Sequence, residues 1–578
     1  SKARDIADST KTLDVDGGTI KLDGNYPVGT GSVALGDTAL DSVQSAGTYN
    51  TAIGHNALTA NTTATNNTSV GAFSLGSNTT GEANTAVGLA ALDANTTGSN
   101  NVGLGRDALG ANTTASNNTS VGYQAGLANT TGYNNLFAGV SAGDSNTTGA
   151  LNALSGSFSG ATNTTGSYNT AYGAESLYSN TTASNNTAVG YQAGYSNTTG
   201  TELTAIGKGA LYTNSTGNYN TAVGYQTMRY NTTGSDNTAY GDEALRGNTS
   251  GGKNTVSGNI ALYANTTGSN NVAFGMQALR FNTTASNNTA VGYQAGYDNT
   301  TGTNLVLMGV DSGANNTTGQ GNTFLGRASG LLNTTGSYNC FVGQSASSGY
   351  ASGYLMTTGW RNTILGAYNG NQGGLDIRTS NNNIVLSDGA GNPRGWFDSS
   401  GNLRIGTVST GTRRVQIESS SANYTLGLDN TSAAPYGIYV DYSAAAPNGS
   451  NYEFFVGLDS SATRVQIFSS GNIVNANNSY GAISDVKLKE NIIDASSQWD
   501  DIKALTVRKY SMKSDELDAP NRLGVIAQEL EAAGMGGLVN ESADKDKDLN
   551  DLGTTTKSVN YSILYMKAVK ALQEAMTR

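Results

Sequence analysis

The sequence is poor in charge. Of 578 residues only 13% are charged and 37% hydrophobic, where an ordinary globular chain carries about 25% and 45–50%. A string of compact enzyme-like domains is thereby excluded for most of its length. Cysteine occurs once, as Cys340, so no disulfide framework holds the fold and no oxidising compartment is required. Histidine also occurs once, as His55, which rules out a multi-histidine metal site or a histidine-based triad within one chain. No metal ion and no cofactor are expected. Only five prolines are present, none between Pro27 and Pro393, and with no Gly-X-Y period this excludes collagen. No apolar run reaches membrane-spanning length, and Ser1-Lys2-Ala3-Arg4-Asp5-Ile6 lacks the apolar centre of a signal peptide. Ser1 fits an N-terminus left by removal of an initiator methionine, as in a cytoplasmically made protein. The net charge of −11 is too small over this length to enforce disorder. It also gives no electrostatic footprint for nucleic acid.

What is abundant is glycine, with 76 residues, and it is periodic. Every seventeenth position from Gly54 to Gly343 is glycine, without a slip. An Asn-Thr-Thr-like triplet keeps the same period from Asn61 to Asn333, varying only to Asn214-Ser215-Thr216 and Asn248-Thr249-Ser250. A further asparagine precedes each unit and fails only at Leu203 and Leu305, while Gly36 and Gly366 mark flanking units with altered spacing. A fixed period of this length means stacked structural repeats. In a typical unit, Thr187-Ala188-Val189-Gly190 forms a short apolar strand ended by a residue without Cβ, and Asn197-Thr198-Thr199-Gly200 supplies a turn.

A unit this short cannot enclose a core alone, but coils hydrogen-bonded to their neighbours can. The expected fold is mainly β, an elongated β-solenoid or β-roll over residues 32–366. It would hold about 19 coils and extend about 90 Å at the usual strand spacing. Asparagines at fixed positions are expected to form side-chain ladders. The missing prolines fit a backbone whose N–H groups nearly all feed a ladder. Because so thin a coil holds few apolar side chains, three chains packed side by side are expected. The repeats resemble the β-roll head modules of trimeric adhesins and the Asn-Thr-Thr-Gly-rich repeats of phage tail fibres, which implies a homotrimer.

The repeat face admits competing readings. Each Asn-Thr-Thr fits an N-glycosylation acceptor, but a duplicated turn is the plainer account. Tyr123, Tyr191, Tyr225 and Tyr293 recur at one unit position. They read as a packing or inter-chain stripe, with stacking on host sugars as the alternative. Cys340 fills a small slot at the start of a unit and reads as inert packing. Sugar hydrolysis needs two carboxylates about 5–10 Å apart. The only adjacent acids between Gly54 and Gly343 are Asp242 and Glu243, in a variable part of the unit. They read as solvated surface, so no turnover enzyme is expected.

Residues 367–483 break the period and concentrate aromatics. Segments such as Asn383–Gly389 and Arg464–Asn472 read as strands closed by turns, giving small β-rich distal modules. Trp396, Tyr436, Tyr439, Tyr442, Tyr452 and Phe455 are the candidates for a receptor-binding tip. The competing reading, of equal standing, is that they form these modules' own core.

From Ser484 the composition changes, and the last 95 residues hold 29 of the 73 charged residues and five of the 76 glycines. Tyr561, Leu564, Tyr565, Ala568, Val569, Leu572 and Met576 form an apolar stripe at helical spacing. Asn560 or Ser558 is placed to cap that helix, and Glu574 and Arg578 form an i, i+4 pair on its polar side. Such a helix is expected to pack against partner helices. Ser484-Asp485-Val486-Lys487-Leu488-Lys489-Glu490-Asn491-Ile492 resembles the opening signature of the endosialidase-type intramolecular chaperone, a self-cleaving peptidase family. Gly524-Val525-Ile526-Ala527-Gln528-Glu529-Leu530 and Ser558-Val559-Asn560-Tyr561 are similar to its later motifs. Lys487 stands where that family often has arginine. The resemblance implies an α+β domain that assembles a trimeric fibre and is then released by a single self-cleavage. It maps the nucleophile to Ser484, the activating base to Lys489 with Asp485 in support, and the scissile bond to Ile483-Ser484. A lysine can take the serine proton if desolvation lowers its pKa.

These readings divide the chain into an N-terminal attachment arm (1–31), a shaft (32–366), distal modules (367–483) and a chaperone domain (484–578). The expectation is a trimeric tail fibre, a virion appendage assembled in the host cytoplasm. Its N-terminus would join a tail or baseplate protein, and its distal part would contact a host surface glycan or protein. Neither a nucleic-acid partner nor membrane insertion is expected. The chaperone would set three chains in register, since adjacent coils look alike and slipping by one costs little. The alternatives are a bacterial surface adhesin or extracellular filament subunit at the cell surface, and a glycan-depolymerising tailspike.

Overall fold

The computed structural model describes residues 30–344, 351–401, 403–405, 453–458, 463–468, 473–475, 489–511, 521–545 and 551–578. The chain separates into two units, Ser1–Gln416 and Ile417–Arg578.

In the first unit, twenty strands of three residues each run from Val33–Leu35 to Thr363–Leu365, each paired in parallel with the strand one coil away. The register is exact to the repeat: Thr187, Ala188 and Val189 face Thr204, Ala205 and Ile206. The ladder continues past residue 366 to Ile384–Ser387, then reverses into antiparallel Pro393–Phe397 and Leu403–Ile405. This is a β-solenoid of 17-residue coils.

Each strand is short because a glycine ends it. Gly190 has φ +129°, and a Cβ there would stand 2.8 Å from the Gly207 carbonyl of the next coil. Coils can touch along this line only if no member has a side chain. The return path is bent by left-handed residues, such as Gln192 (φ 57°), Gly194 (φ 62°) and Asn185 (φ 62°) in the same region.

The core is a single column inside the coil. The central strand residue points inward, as in Ala52, Ala188 and Phe324, and a corner residue such as Leu58 or Leu262 meets it, all fully buried. Thin as the coil is, no neighbouring chain is needed to cover its core. The single chain covers it, because tight glycine and asparagine corners close each coil and the coils above and below seal its ends.

Two asparagine ladders replace the apolar contacts that such small coils lack. The asparagine before each strand accepts from the next coil's backbone: Asn67 N–H donates to Asn50 Oδ1 (3.0 Å), and Asn84 N–H to Asn67 Oδ1 (2.9 Å). Its amide nitrogen crosses the coil, as in Asn67 Nδ2 to Gly81 O (3.0 Å). The triplet asparagines form the second ladder, with Asn112 Nδ2 donating to Asn95 Oδ1 (2.7 Å) and to Ala115 O (3.1 Å). These side chains are fully buried and every donor named has an acceptor, as burial of polar groups demands.

In the second unit, Glu453–Leu458, Thr463–Phe468 and Ile473–Asn475 form an antiparallel sheet. The C-terminal part contains helices α1 (Trp499–Lys503), α2 (Ala527–Ala532) and α3 (Tyr561–Thr577), and a hairpin of Val539–Lys545 with Asp551–Val559. A small nucleus of Leu530, Met535, Leu538 and Leu564 holds them together.

Helix α3 departs from the expected single stripe. Leu564 and Ala571 are buried, while Tyr565, Val569, Leu572 and Met576 are exposed at 47–79%. The buried side turns to α1, where Lys567 Nζ pairs with Asp501 (2.6 Å) and Glu574 accepts from Ser497 Oγ (2.6 Å). Asn560 stands at the N-cap without a side-chain bond to the helix, and Ser562 Oγ donates to it instead. Ser558 is a hairpin residue opposite Asn540. Arg578 lies over the Trp499 ring at 5.3 Å.

Candidate functional site

Side chains alternate across a strand, so each coil sends two outward. One outward column runs from Val33 through Thr51 and Thr68 to Ile384, and the other from Leu35 through Ile53 and Val70 to Leu386. Neither column contains a charged residue at any rung. The second carries exposed bulky residues, among them Val121, Tyr172, Ile206, Tyr240, Phe274 and Met308, at 38–64% exposure. Cys340 lies half-buried in the first column, between Thr323 and Thr363.

The recurrent tyrosines flank the glycine line on its other side. Tyr123, Tyr191, Tyr225 and Tyr293 are 40–46% exposed. Lys208 lies between two of them, 5.9 Å from the Tyr191 ring and 6.0 Å from that of Tyr225.

Two alternatives for the repeat face can be judged from geometry. The triplet asparagines have no accessible amide: Asn61, Asn78 and Asn95 are fully buried, and their amides are engaged in the ladder. Glycosylation of the folded shaft at these positions is sterically closed. Asp242 and Glu243 turn to different partners, Asp242 accepting from Asn259 Nδ2 (3.1 Å) and Glu243 pairing with Arg246 (3.4 Å).

A feature that sequence reasoning missed lies five residues after the coil glycine. There, Tyr178, Tyr195, Tyr212, Arg229, Arg246, Tyr263, Arg280 and Tyr297 succeed one another on consecutive coils, all half-buried. Tyr178, Tyr195 and Tyr212 stack at 5.1 Å per step and within 8° of parallel. Arg229 continues the stack over Tyr212 at 5.0 Å. Arg246 donates to the Tyr263 hydroxyl, and Arg280 Nη1 to that of Tyr297 (2.8 Å). Burial raises the Tyr195 pKa, reinforced by Tyr212 and Glu175. The 17-residue spacing of Tyr and Arg was the available signal.

Of the residues expected at a distal tip, Tyr436, Tyr439, Tyr442 and Tyr452 lie outside the described residues. Trp396 is half-buried, opposite Val385, and packs on the end of the solenoid core. Phe455 is 54% exposed on its strand. For the processing site, Ile483, Ser484 and Asp485 also lie outside the described residues, and Lys489 is exposed. His55 is 3.6 Å from Asp37 and edge-on to Phe73. No cluster of metal-ligating side chains occurs among the described residues, and no helix there is long and apolar enough to cross a membrane.

No curated protein and no solved structure matches the chain. Residues 484–540 match the family described as chaperone of endosialidase, and the match ends before most of the hairpin and all of α3. A long β-solenoid followed by a segment similar to the chaperone of endosialidase suggests a tail-fibre- or tailspike-like protein.

Proposed function

We propose that the chain is the subunit of a homotrimeric phage tail fibre that attaches a virion to its host. The uncharged outward strand face carries this reading. At ~4.8 Å per rung the face is roughly 95 Å long and roughly 7 Å wide between its two columns. That is on the order of 700 Å², close to the ~800 Å² per partner of a stable interface. A partner that stays in step over so many rungs needs the same pitch, which a parallel second copy has by construction. Three copies then turn these faces toward one axis. The exposed side of α3 supports the same assembly: Tyr565, Val569, Leu572 and Met576 follow the 4-3-4 spacing of a coiled-coil seam.

In this reading the N-terminal arm joins a tail or baseplate protein, the solenoid is a spacer, and the distal modules meet a host surface glycan or protein. The C-terminal domain is an intramolecular chaperone that brings three chains into register and leaves by cleavage between Ile483 and Ser484. Native mass spectrometry of the expressed chain tests the assembly, with three copies expected; a monomer would overturn it. Deleting residues 484–578 should yield monomers or aggregates. Ser484→Ala should keep the full-length mass on a denaturing gel while the parent chain shortens, and equal masses would remove Ser484 from catalysis.

A further inference from the structure

We infer that the tyrosine–arginine column between Tyr178 and Tyr297 is a binding strip for an acidic polysaccharide, engaged through Arg229 and Arg280. This goes beyond the fibre reading, which requires no ligand on the shaft.

The three arginines of the column are not equivalent. Arg246 is supplied from within, by Glu243 at 3.4 Å, Gln226 at 3.2 Å and the Tyr263 hydroxyl. Arg229 and Arg280 have no carboxylate within ion-pair distance among the described residues. Their Nε atoms are buried and without an acceptor. Stacking fixes the two guanidinium groups instead, Arg229 on Tyr212 (5.0 Å) and Tyr230 (5.7 Å), Arg280 on Phe281 (5.1 Å) and Tyr297 (5.6 Å), with one further bond from Arg280 Nη1 to the neutral Tyr297 hydroxyl (2.8 Å). A half-buried cation held by ring faces and lacking a counter-ion is incomplete, and its remaining N–H edge suits a carboxylate or sulfate.

The spacing points to a polymer. Arg229 and Arg280 stand three coil steps apart, roughly 14 Å along the axis, so one chain laid along the shaft can reach both. Between them the column holds Arg246 and Tyr263, and beside them are groups suited to hydroxyls and ring carbons: Thr213 one coil before Arg229, Gln277 in the coil of Arg280, and the exposed rings of Tyr230 (42%) and Phe281 (38%). Nucleic acid fits less well, since a duplex presents a charge every ~1.7 Å and the chain's net charge is −11.

The test uses the full chain at physiological salt, with polygalacturonate as carboxylate probe, dextran sulfate as sulfate probe, and neutral dextran and single-stranded DNA as comparators. One or both acidic polysaccharides should bind above dextran and DNA, and the difference between them identifies the anion. Arg229→Gln with Arg280→Gln should weaken that binding at least tenfold with circular dichroism unchanged. Glu243→Gln frees Arg246 and should tighten it severalfold, which a merely structural column would not do. Equal binding of dextran, preference for DNA, or undiminished binding by a folded double variant would overturn the proposal. If the double variant misfolds, failure of Glu243→Gln to tighten binding does so. Trimers that bind neither acidic probe would leave the fibre reading standing and end this one.

Discussion

The ring of Phe137 occupies the space that a side chain on Gly143 would need: a Cβ there would stand 2.4 Å from the ring. In other coils the strand position holds alanine and the corner leucine, as in Ala52 and Leu58. In the Phe137 coil the two positions trade bulk, whereas where both are small, as at Ala188 and Gly194, Leu177 of the neighbouring coil fills the space. Phe137→Ala alone should cost about 3–5 kcal/mol through the cavity it leaves. Adding Gly143→Leu should recover most of that, less ~1 kcal/mol for a left-handed leucine. A double-mutant cycle by urea unfolding measures the coupling, and additive effects would contradict it.

The asparagine ladders should respond to charge far more than to loss of polarity. Asn112→Asp removes both donors and places a carboxylate under Asn95 Oδ1 and Ala115 O. Each group left unpaired costs about 1–3 kcal/mol, so local unfolding should be visible by hydrogen exchange in the adjoining coils. Asn118→Leu imitates what the chain already has at Leu203 and Leu305, both buried, and should be the milder change. A reversed order would show that the ladders are not the stabilising element.

The turn that follows the last parallel strand should be acid-sensitive in a defined window. Partial burial opposes ionisation of Asp388, but hydrogen bonds from the Asn392 backbone, Arg394, the Asn392 amide and the Ala390 backbone outweigh it and bring the pKa from 3.8 to about 2. A depressed folded-state pKa gives stability that is complete above the unfolded value and is lost as pH falls from there toward about 2. Amide exchange in residues 388–394 should rise over that interval. Asp388→Asn should flatten the response.

Two faces of α3 should fail differently. Leu564→Ala empties part of the tail nucleus and should destabilise the domain by about 2–5 kcal/mol. Leu572→Glu with Met576→Glu changes only exposed positions, and should leave helix content intact while reducing trimer yield. Circular dichroism with native mass distinguishes the two, and a trimer unaffected by the glutamates would remove α3 from assembly.

The solenoid was legible because a coil writes the same instruction many times. Glycine at the strand end, asparagine before it and Asn-Thr-Thr at the turn each serve one physical need per rung, so period and fold coincide. Relationships between coils were harder to see. The stack from Tyr178 to Arg229 depends on which residues lie one above another, which follows only from the seventeen-residue register, and the trade between Phe137 and Gly143 depends on which residues face each other across one coil. The rung at Ile384–Ser387 hid behind a changed spacing. In α3, periodicity merged two neighbouring faces, since the packing of α1, through Asp501, and of Leu530, Met535 and Leu538 decides which is covered. The processing residues carried no spatial signal at all: Ser484 and Lys489 were singled out by resemblance to a motif.

The hydrogen bonds between successive strands, such as Thr187 N–H to Leu203 O and Gly190 N–H to Tyr172 O (both 2.8 Å), join one coil to the next. In a solenoid they lie along the long axis, so tension on the ends loads every coil boundary in series rather than in parallel. The shaft is then only as strong as its weakest boundary, and it yields one coil at a time. Each released coil lengthens the chain by about 50 Å. A spacer built this way takes up a sudden pull as discrete steps, and the undamaged coils on either side are the template on which it rewinds.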